Sequence, residues 1–329
     1  MQNNISKIFQ DFQKQTVLII GDVMIDSYIF GKVDRISPEA PVPVVAVKKR
    51  VNRLGGAANV ALNIKAMGAE PILCSVIGRD LKSATFLELL DKREMSKEGI
   101  VQSNGRITTT KFRVIGNATQ MLRVDEEIDE NLSDQEEALL LQRIKQLIEK
   151  RKINVIIFQD YDKGVISKNI IEKTIEFAGN IPTVVDPKKR NFHDYKNATL
   201  FKPNLKELRE GMNNYFEANE TDKLQKAVED MQTALNCSYF FTTLSEHGVM
   251  ITEKTKEGFN HYSIAAHIRN ISDVSGAGDT VISLTALCLA QKLPAEQIAK
   301  ISNMAGGLVC EEVGVVPVNK DKLYKELTK

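Results

Sequence analysis

The chain has 329 residues, of which 44 are Lys or Arg and 43 are Asp or Glu, so its formal net charge is +1. This balance, together with the absence of Trp, gives no general affinity for nucleic acid or for an acidic membrane surface. No run approaches ~18 apolar residues, and residues 1–15 lack the apolar core of a signal peptide, so we expect a cytoplasmic protein that binds no membrane. The four cysteines are far apart, and we expect buried thiols rather than metal ligands or disulfides.

Strand-like and helix-like segments alternate along most of the chain. The first strand is predicted at 16–21, where T-V-L-I-I-G is a β-branched run that ends in Gly. Further strands are predicted at 71–78, 154–159, 182–185, 198–201 and 239–242. Helices are predicted at 57–67, 133–151, 168–178, 222–235, 279–291 and 295–309. This alternation predicts one α/β domain over 1–329, whose mainly parallel central sheet has helices on both faces.

Two stretches, at about 27–53 and 104–125, break this alternation. The first contains three prolines among valines, and in the second alternating residues flank Gly116-Asn117, which is typical of a hairpin. We expect the two stretches to form a small β-sheet lid beside the main domain; a pair of surface loops is the alternative. The unpaired edges of such a sheet predict a homodimer through the lid.

The sequence D-V-S-G-A-G-D-T at 273–280 precedes an apolar, helix-like run. Backbone N–H groups at a helix N-terminus attract anions, and Gly276 and Gly278 allow close approach to a phosphate. Asp279 would lie beside that phosphate and would suit a base for an attacking hydroxyl. The alternative is a Gly-rich turn in which Asp279 caps the helix. The chain contains neither a Walker P-loop nor a dinucleotide fingerprint.

Two further motifs carry polar side chains near predicted element ends. R-L-G-G-A-A-N at 53–59 opens a predicted helix, where Gly55 and Gly56 permit close approach and Asn59 offers a donor and an acceptor to sugar hydroxyls. G-D-V-M-I-D at 21–26 follows the first strand, at the sheet edge where ligands of open α/β sheets bind, so Asp22 and Asp26 are candidate acceptors. A tight turn and loop capping are the respective alternatives.

These motifs, in this order, resemble the PfkB or ribokinase-like family of carbohydrate kinases. With K-P-N-L-K-E at 202–207 and T-L-S-E-H-G at 243–248, they cover nearly the whole chain. R-I-S-P-E-A-P-V-P-V at 35–44, S-V-I-G-R-D at 75–80 and Q-D-Y-D-K-G at 159–164 resemble the kinase module of the bacterial heptose enzymes. The resemblance implies a ribokinase-like fold. It also implies an ATP-dependent kinase that phosphorylates O1 of D-glycero-β-D-manno-heptose 7-phosphate, in the synthesis of the ADP-heptose precursor of lipopolysaccharide.

The resemblance also implies the roles of individual residues. Asp279 matches the catalytic base, and the amides of Gly276, Ala277 and Gly278 match an anion hole. The residues that match the ATP site, of which the first two also organise Mg²⁺ through water, are Asn204, Glu207, Thr243, Ser245, Gly248 and Asn303. Taken alone, Glu207 would be an exposed helix carboxylate, which is the alternative for that residue. Asp273 and Ser275 match a site for a monovalent cation, usually K⁺. The residues assigned to the substrate are Asp22, Asp26, Gly55, Gly56, Asn59, Asp160 and Lys163.

A sugar substrate that already carries a phosphate needs cations to bind it. The cations of the predicted lid are candidates, with solvated surface charge as the alternative: Arg35, Lys111, Arg113 and Arg123. Asp162 departs from the family pattern, because relatives often have a small residue at this place in the loop.

Bifunctional relatives carry a second, nucleotidyl-transferring domain after the kinase. Only about 50 residues follow Asp279, so we expect a separate nucleotidyltransferase in the pathway. The main alternative is a kinase of another sugar or sugar phosphate. A non-catalytic binding protein would be expected to lack Asp279, Asn204 or Glu207, and a dinucleotide-dependent oxidoreductase would need the missing glycine fingerprint.

Overall fold

The computed structural model describes residues 2–267 and 271–329, with side chains from residue 5 onward. Within these ranges the strands are β1 Thr16–Gly21, β2 Val23–Ile36, β3 Pro43–Gly56, β4 Glu70–Gly78, β5 Ile100–Ser103, β6 Thr110–Gly116, β7 Thr119–Glu126, β8 Val155–Gln159, β9 Thr183–Asp186, β10 Leu200–Phe201, β11 Tyr239–Thr243, β12 Val249–Lys254 and β13 Phe259–Ile264. The helices are α1 Gln2–Phe12, α2 Ala57–Ala66, α3 Leu81–Lys92, α4 Asp134–Lys150, α5 Lys168–Ala178, α6 Leu205–Met212, α7 Thr221–Leu235, α8 Ala277–Ala290, α9 Ala295–Val309 and α10 Lys320–Leu327.

The main sheet has nine strands among the described residues, in the order β13-β12-β11-β10-β9-β8-β1-β4-β5. The seven strands from β11 to β5 pair in parallel, and β12 and β13 extend the sheet in antiparallel fashion. The predicted fold class is therefore confirmed. The carboxyl ends of the parallel strands meet at one edge, where ligands of such sheets bind.

The central strand β1 shows why the sheet is covered on both faces. Val17 and Ile19 are buried in one apolar core, whereas Leu18 and Ile20 are buried in another. Successive side chains of a strand point to opposite faces, so an unbroken apolar run places core on each side. The first core includes α2, α8 and α9, and the second includes α4, α5 and α7.

The two stretches that interrupt the alternation form a second sheet, in the order β3-β2-β6-β7. β6 and β7 are a hairpin whose turn residues Asn117 and Ala118 have φ values of 50° and 65°, as two-residue hairpin turns require. The predicted hairpin is confirmed. That the sheet acts as a lid stays a prediction.

Several elements were not predicted from the sequence. Helix α1 buries Ile5, Ile8, Phe9 and Phe12, whose spacing of three and four residues is that of an amphipathic helix. Helices α3, α6 and α10 and strands β5, β12 and β13 were also missed. Cys74, Cys237 and Cys288 are buried as expected, while Cys310 is only partly buried. In the described part of the chain, no helix has the length and apolarity needed to cross a membrane.

Candidate active site

The N-terminus of α8 is built on Gly276. This residue has a φ of 82°, in the left-handed region that favours glycine. A Cβ atom here would also come within 3.1 Å of Asn59 Nδ2 and 3.3 Å of Val315 Cγ1. Helix α8 begins at the next residue, Ala277, two residues before the predicted start at 279. Gly276 and Gly278 line a cleft of about 460 Å³, although the amide of Ala277 donates to the carbonyl of Val274 at 3.3 Å.

Asp279 lies in the first turn of α8 and is held by three donors, one from α2 and two from the end of β8 and the loop after it. Asn59 Nδ2 donates to Oδ2 at 2.7 Å, and the Tyr161 hydroxyl donates to Oδ1 at 2.6 Å. Gln159 Nε2 donates to the same Oδ1 at 3.2 Å. The carboxylate is buried yet lines the cleft. The carboxylate is therefore fixed in orientation and can still receive a proton from a group in the cleft.

The surroundings of Asp279 raise its pKa towards neutral pH, the range that suits a general base. Burial raises the pKa to about 6, against the hydrogen bonds from Asn59 and Tyr161, which lower it. The value of about 6 also includes the charge of Asp186, which raises the pKa, and that of Lys202, which lowers it. A carboxyl group with this pKa is ionised at neutral pH and accepts a proton more readily than an exposed one.

Two lysines, an aspartate and a glutamine are among the cleft residues that were not predicted as site residues from the sequence. Lys202 Nζ pairs with Asp186 Oδ2 at 3.1 Å, and both side chains are almost fully buried. Lys188 pairs with Glu207, and although burial opposes its charge, Asp186 and Glu207 raise the pKa of this lysine. Gln159 bridges Asp186 and Asp279. The positions of Gln159 and Asp186 could have identified these two residues, since they end two neighbouring parallel strands at the edge of the sheet where ligands bind.

Asn204 and Glu207 form a reciprocal capping box at the start of α6. Asn204 Oδ1 accepts the Glu207 N–H at 2.8 Å, and Glu207 Oε2 accepts the Asn204 N–H at 2.8 Å. Glu207 is buried rather than exposed, and both residues line the cleft. The described residues contain no group of three or more His, Cys, Asp or Glu suited to a metal. Mg²⁺ often needs only one or two carboxylates with water and phosphate oxygens, so these side chains fit a metal that arrives with a nucleotide.

Of the other four residues assigned to the nucleotide, two line the cleft and two do not. Thr243 and Ser245 line the cleft. Gly248 has a φ of 86°, and a Cβ there would lie 2.1 Å from the Ile264 carbonyl oxygen, so the turn requires glycine. Asn303 donates through Nδ2 to the carbonyl of Ala265 at 2.8 Å, which places it beside the segment that follows β13.

On the other side of Asp279, the small sheet brings Asp26 next to the two-glycine motif. Asp26 is buried and forms an ion pair with Arg113 of β6. A Cβ at Gly55 would lie 2.3 Å from Asp26 Oδ2, and one at Gly56 would lie 2.4 Å from the Asp22 carbonyl oxygen. The glycines therefore make room for a carboxylate and for the chain, and their contact with a substrate stays a prediction.

Asp22 and Asp160 organise the loop after β8. Asp22 accepts the backbone N–H groups of Tyr161, Lys163 and Val165 at 2.8, 3.2 and 3.0 Å. Burial, followed by the charge of Asp160, raises the pKa of Asp22 to about 6. Asp160 accepts bonds from other buried groups. Both carboxylates therefore cap this loop, which was the alternative raised for Asp22. Asp22 also holds the backbone of Tyr161, whose hydroxyl contacts Asp279.

The remaining assigned cations and the K⁺ candidates are not among the residues that line the cleft. Lys163 Nζ pairs with Glu127 at 2.7 Å. Arg35 is exposed and is nine residues along β2 from Asp26, a separation of ~30 Å in an extended strand. The structure therefore does not bring Arg35 to the site within this chain. Asp273 accepts the Ser275 N–H at 2.9 Å, so both residues belong to the loop that leads into α8.

The chain is similar to known proteins over most of its length. The family model "pfkB family carbohydrate kinase" matches residues 14–322. A protein named "Bifunctional protein HldE" from Methylobacillus flagellatus is 38% identical over 313 residues, which cover 94% of this chain and 63% of that protein. The protein of the same name from Wolinella succinogenes is 35% identical, over 92% of this chain and 62% of its own length. The chain thus spans a little under two thirds of the length of these relatives.

Solved structures share the fold at low sequence identity. Phosphofructokinase-2 from Escherichia coli in complex with potassium has a TM-score of 0.77 at 17% identity, over 96% of this chain and 99% of that one. Ribokinase from Arabidopsis thaliana, complexed with ribose and ATP, has a TM-score of 0.70 at 15% identity, over 94% of this chain and 98% of that one. These likenesses establish the fold.

Proposed function

This chain belongs to the pfkB family of carbohydrate kinases, and on that premise we propose that it transfers the γ-phosphoryl group of ATP to O1 of D-glycero-β-D-manno-heptose 7-phosphate. The observation that carries the proposal is Asp279, a buried, ionisable carboxylate held by three donors at the glycine-rich N-terminus of α8.

The residues of the cleft fit the separate tasks of phosphoryl transfer. The sugar hydroxyl would lie against Asp279, which accepts the proton as the new O–P bond forms and the bond to ADP breaks. The N-terminus of α8 faces the transferring group with its partial positive charge, and Lys188 and Lys202 add full charges nearby. Positioning and charge stabilisation of this kind supply most of the catalysis in phosphoryl transfer.

Asn204 and Glu207 would hold Mg²⁺ through water. The ion would supply charge neutralisation between phosphate oxygens. Because these side chains also cap α6, the helix fixes their positions before a nucleotide binds. A requirement for K⁺ near Asp273 and Ser275 stays a prediction, as does a separate nucleotidyltransferase that acts on the product.

The choice of heptose rests on resemblance at two levels. The motifs at 35–44, 75–80 and 159–164 resemble those of the heptose kinase module. The relatives named HldE are 34–38% identical to this chain over at least 92% of its length. A kinase of another sugar phosphate would share the catalytic residues and differ in the pocket and the small sheet.

A substrate panel tests the proposal. Purified protein is assayed for ATP-dependent turnover of heptose 7-phosphate, fructose phosphates, ribose and nucleosides, each with and without K⁺. Heptose 7-phosphate is expected to have the highest kcat/KM. Good turnover of another sugar with none of the heptose would refute the substrate assignment.

Replacing Asp279 tests the assigned base separately. Asp279→Asn keeps the size of the side chain but removes its ability to accept the proton. We expect kcat to fall by roughly 10²–10⁴-fold, while ATP binding, measured by calorimetry, stays near the wild-type value. An active Asp279→Asn variant would show that another group takes the proton.

We also propose that the small sheet pairs with a second copy of the chain. Its edge strands are β3 and β7. Large apolar side chains are exposed on the sheet and in the connection from β2 to β3, among them Ile36, Val42, Val47, Met121, Leu122 and Val124. Exposed edges and apolar surface of this kind favour association. A mass equal to one chain at micromolar concentration, measured by light scattering, would refute the dimer.

A further inference from the structure

One face of the small sheet is strongly charged. Residues in register on neighbouring strands point to the same face of a sheet. Asp26 is in register with Arg53 on β3 and with Lys111 on β6, and Lys111 is in register with Asp125 on β7. The next row on this face contains Arg113 on β6 and Arg123 on β7, which are in register with each other. The charged members of the two rows are Asp26, Arg53, Lys111, Arg113, Arg123 and Asp125. This face therefore carries four cations against two carboxylates, on the same side as the carboxylate assigned to the sugar.

Three of these four cations already have carboxylate partners. Arg113 pairs with Asp26, and Lys111 Nζ lies 3.0 Å from both Asp125 and Glu127. Arg123 pairs with Asp125 at 3.1 Å. A cation that is paired in this way must give up its partner, or share it, to bind an anion.

Arg53 differs from the other three cations. Its guanidinium lies 5.1 Å from the centre of the Tyr28 ring, a contact that Arg113 shares at 5.4 Å, but its Nη1 donates to the carbonyl of Val315 at 3.2 Å. Among the residues that the structure describes, no carboxylate lies within ion-pair distance of it. A guanidinium has five N–H donors in a fixed plane, so stacking on Tyr28 and one carbonyl hold this group in place and leave most of its donors for a ligand.

The position of Arg53 places those donors between the sugar residues and the phosphoryl-transfer helix. Arg53 is directly across from Asp26. Its hydrogen-bond partner Val315 packs within 3.3 Å of the Cβ position of Gly276, where α8 begins, and Asn59 lies within 3.1 Å of the same point. A sugar bound against Asp26 and Asp279 therefore has Arg53 beside it.

We propose that Arg53 binds the phosphate that the sugar substrate already carries, and that it thereby selects sugar phosphates over neutral sugars. The proposal rests on the kinase function proposed above and adds a specificity-determining residue to it. Guanidinium and phosphate match each other in bidentate geometry. This residue takes the role first considered for Arg35, Lys111, Arg113 and Arg123, because those cations are distant or already paired.

Arg53→Gln and Arg50→Gln form a matched pair of variants for the test. Arg50 is on the same strand, and its odd spacing from Arg53 places it on the opposite face. Turnover of heptose 7-phosphate and of the same heptose without the phosphate is measured for the wild type and both variants. Arg53→Gln is expected to lower kcat/KM for the phosphorylated sugar by roughly 10- to 100-fold, mainly through KM, as expected for a charged hydrogen bond. The neutral sugar should be affected less than twofold, and Arg50→Gln should change neither value.

The outcomes separate this proposal from the choice of sugar. An equal loss on both sugars, or no loss on either, overturns the role of Arg53. If the wild type prefers another sugar phosphate, the heptose assignment fails, and the same comparison with that sugar and its unphosphorylated form still tests Arg53. Arg53→Lys retains the charge but not the planar fork. If Arg53→Gln has a lower melting temperature than the wild type, Arg53→Lys decides the question. A smaller loss of kcat/KM that affects only the phosphorylated sugar supports the proposal. An unchanged preference for the phosphorylated over the neutral sugar overturns it.

Discussion

Removing the hydroxyl of Tyr161 should make the base harder to ionise. That hydroxyl donates to Asp279 Oδ1 at 2.6 Å, and its hydrogen bond lowers a pKa that burial has raised to about 6. A hydrogen bond to a charged group contributes about 1.5–3 kcal/mol, and 1.36 kcal/mol corresponds to one pKa unit. Gln159 Nε2 still donates to the same oxygen in Tyr161→Phe. We therefore use the lower limit, which predicts a rise of about one unit, to about 7.

The pH dependence of kcat/KM reports this change, because it follows ionisations of the free enzyme. A base must be unprotonated to act, so kcat/KM falls as the pH decreases through the pKa of Asp279. With pKa values of about 6 and about 7, Tyr161→Phe should lose about eightfold at about pH 5.5 and almost nothing at about pH 8. A sugar phosphate also titrates near pH 6, so both proteins must be compared on one substrate.

Tyr195→Phe is the matched control, since Tyr195 is another buried tyrosine that donates to a carboxylate, at 2.8 Å to Asp160. It does not touch Asp279, and its acid limb should match that of the wild type. An unshifted acid limb in Tyr161→Phe, or an equal shift in both variants, would refute a direct effect of the Tyr161 hydroxyl on the base.

Three further predictions concern the supports of the site. Gly55→Ala places a Cβ 2.3 Å from Asp26 Oδ2; we expect a higher KM for the sugar and an unchanged KM for ATP, and equal changes in both would contradict a local effect on Asp26. Asp162 has a φ of 56° and a buried oxygen without a partner, so Asp162→Gly should raise the free energy of unfolding in urea by roughly 0.5–1 kcal/mol; a decrease would show that the carboxylate stabilises the loop. Lys202→Met leaves the buried Asp186 without its cation and should lower that free energy by about 3–5 kcal/mol, and adding Asp186→Asn should recover part of the loss.

The sequence predicted the architecture well where burial alone decides it. Apolar runs such as 16–21 and 154–159 are strands because only a covered sheet can bury both of their faces. Helix α1 was missed because polar residues separate its apolar ones, so that only the spacing of the apolar residues indicates a helix. The strand predicted at 198–201 is shorter in the structure, where β10 has only two residues, because parallel pairing begins at Leu200.

The site was predicted less completely, because motifs name residues and not their partners. Asp279 and Asn59 were both identified, yet their direct hydrogen bond depends on how α2 and α8 pack. Glu207 was expected to be an exposed helix carboxylate when taken alone, and its burial comes from the capping box and from Lys188. Tyr161 lies inside the motif at 159–164, but the motif assigned it no role, because that role exists only through the contact with Asp279.

The hydrogen bonds of the site join parts of the chain that are far apart in sequence. The bond from Asn59 to Asp279 spans 220 residues, that from Tyr161 to Asp279 spans 118, and that from Tyr161 N–H to Asp22 spans 139. Contacts of such long range form slowly, and during synthesis none that involves α8 can form until that helix has left the ribosome. The nascent chain would therefore pass through a state with most of the sheet formed but without an assembled base. Recovery of activity after dilution from denaturant should accordingly lag behind the recovery of secondary structure.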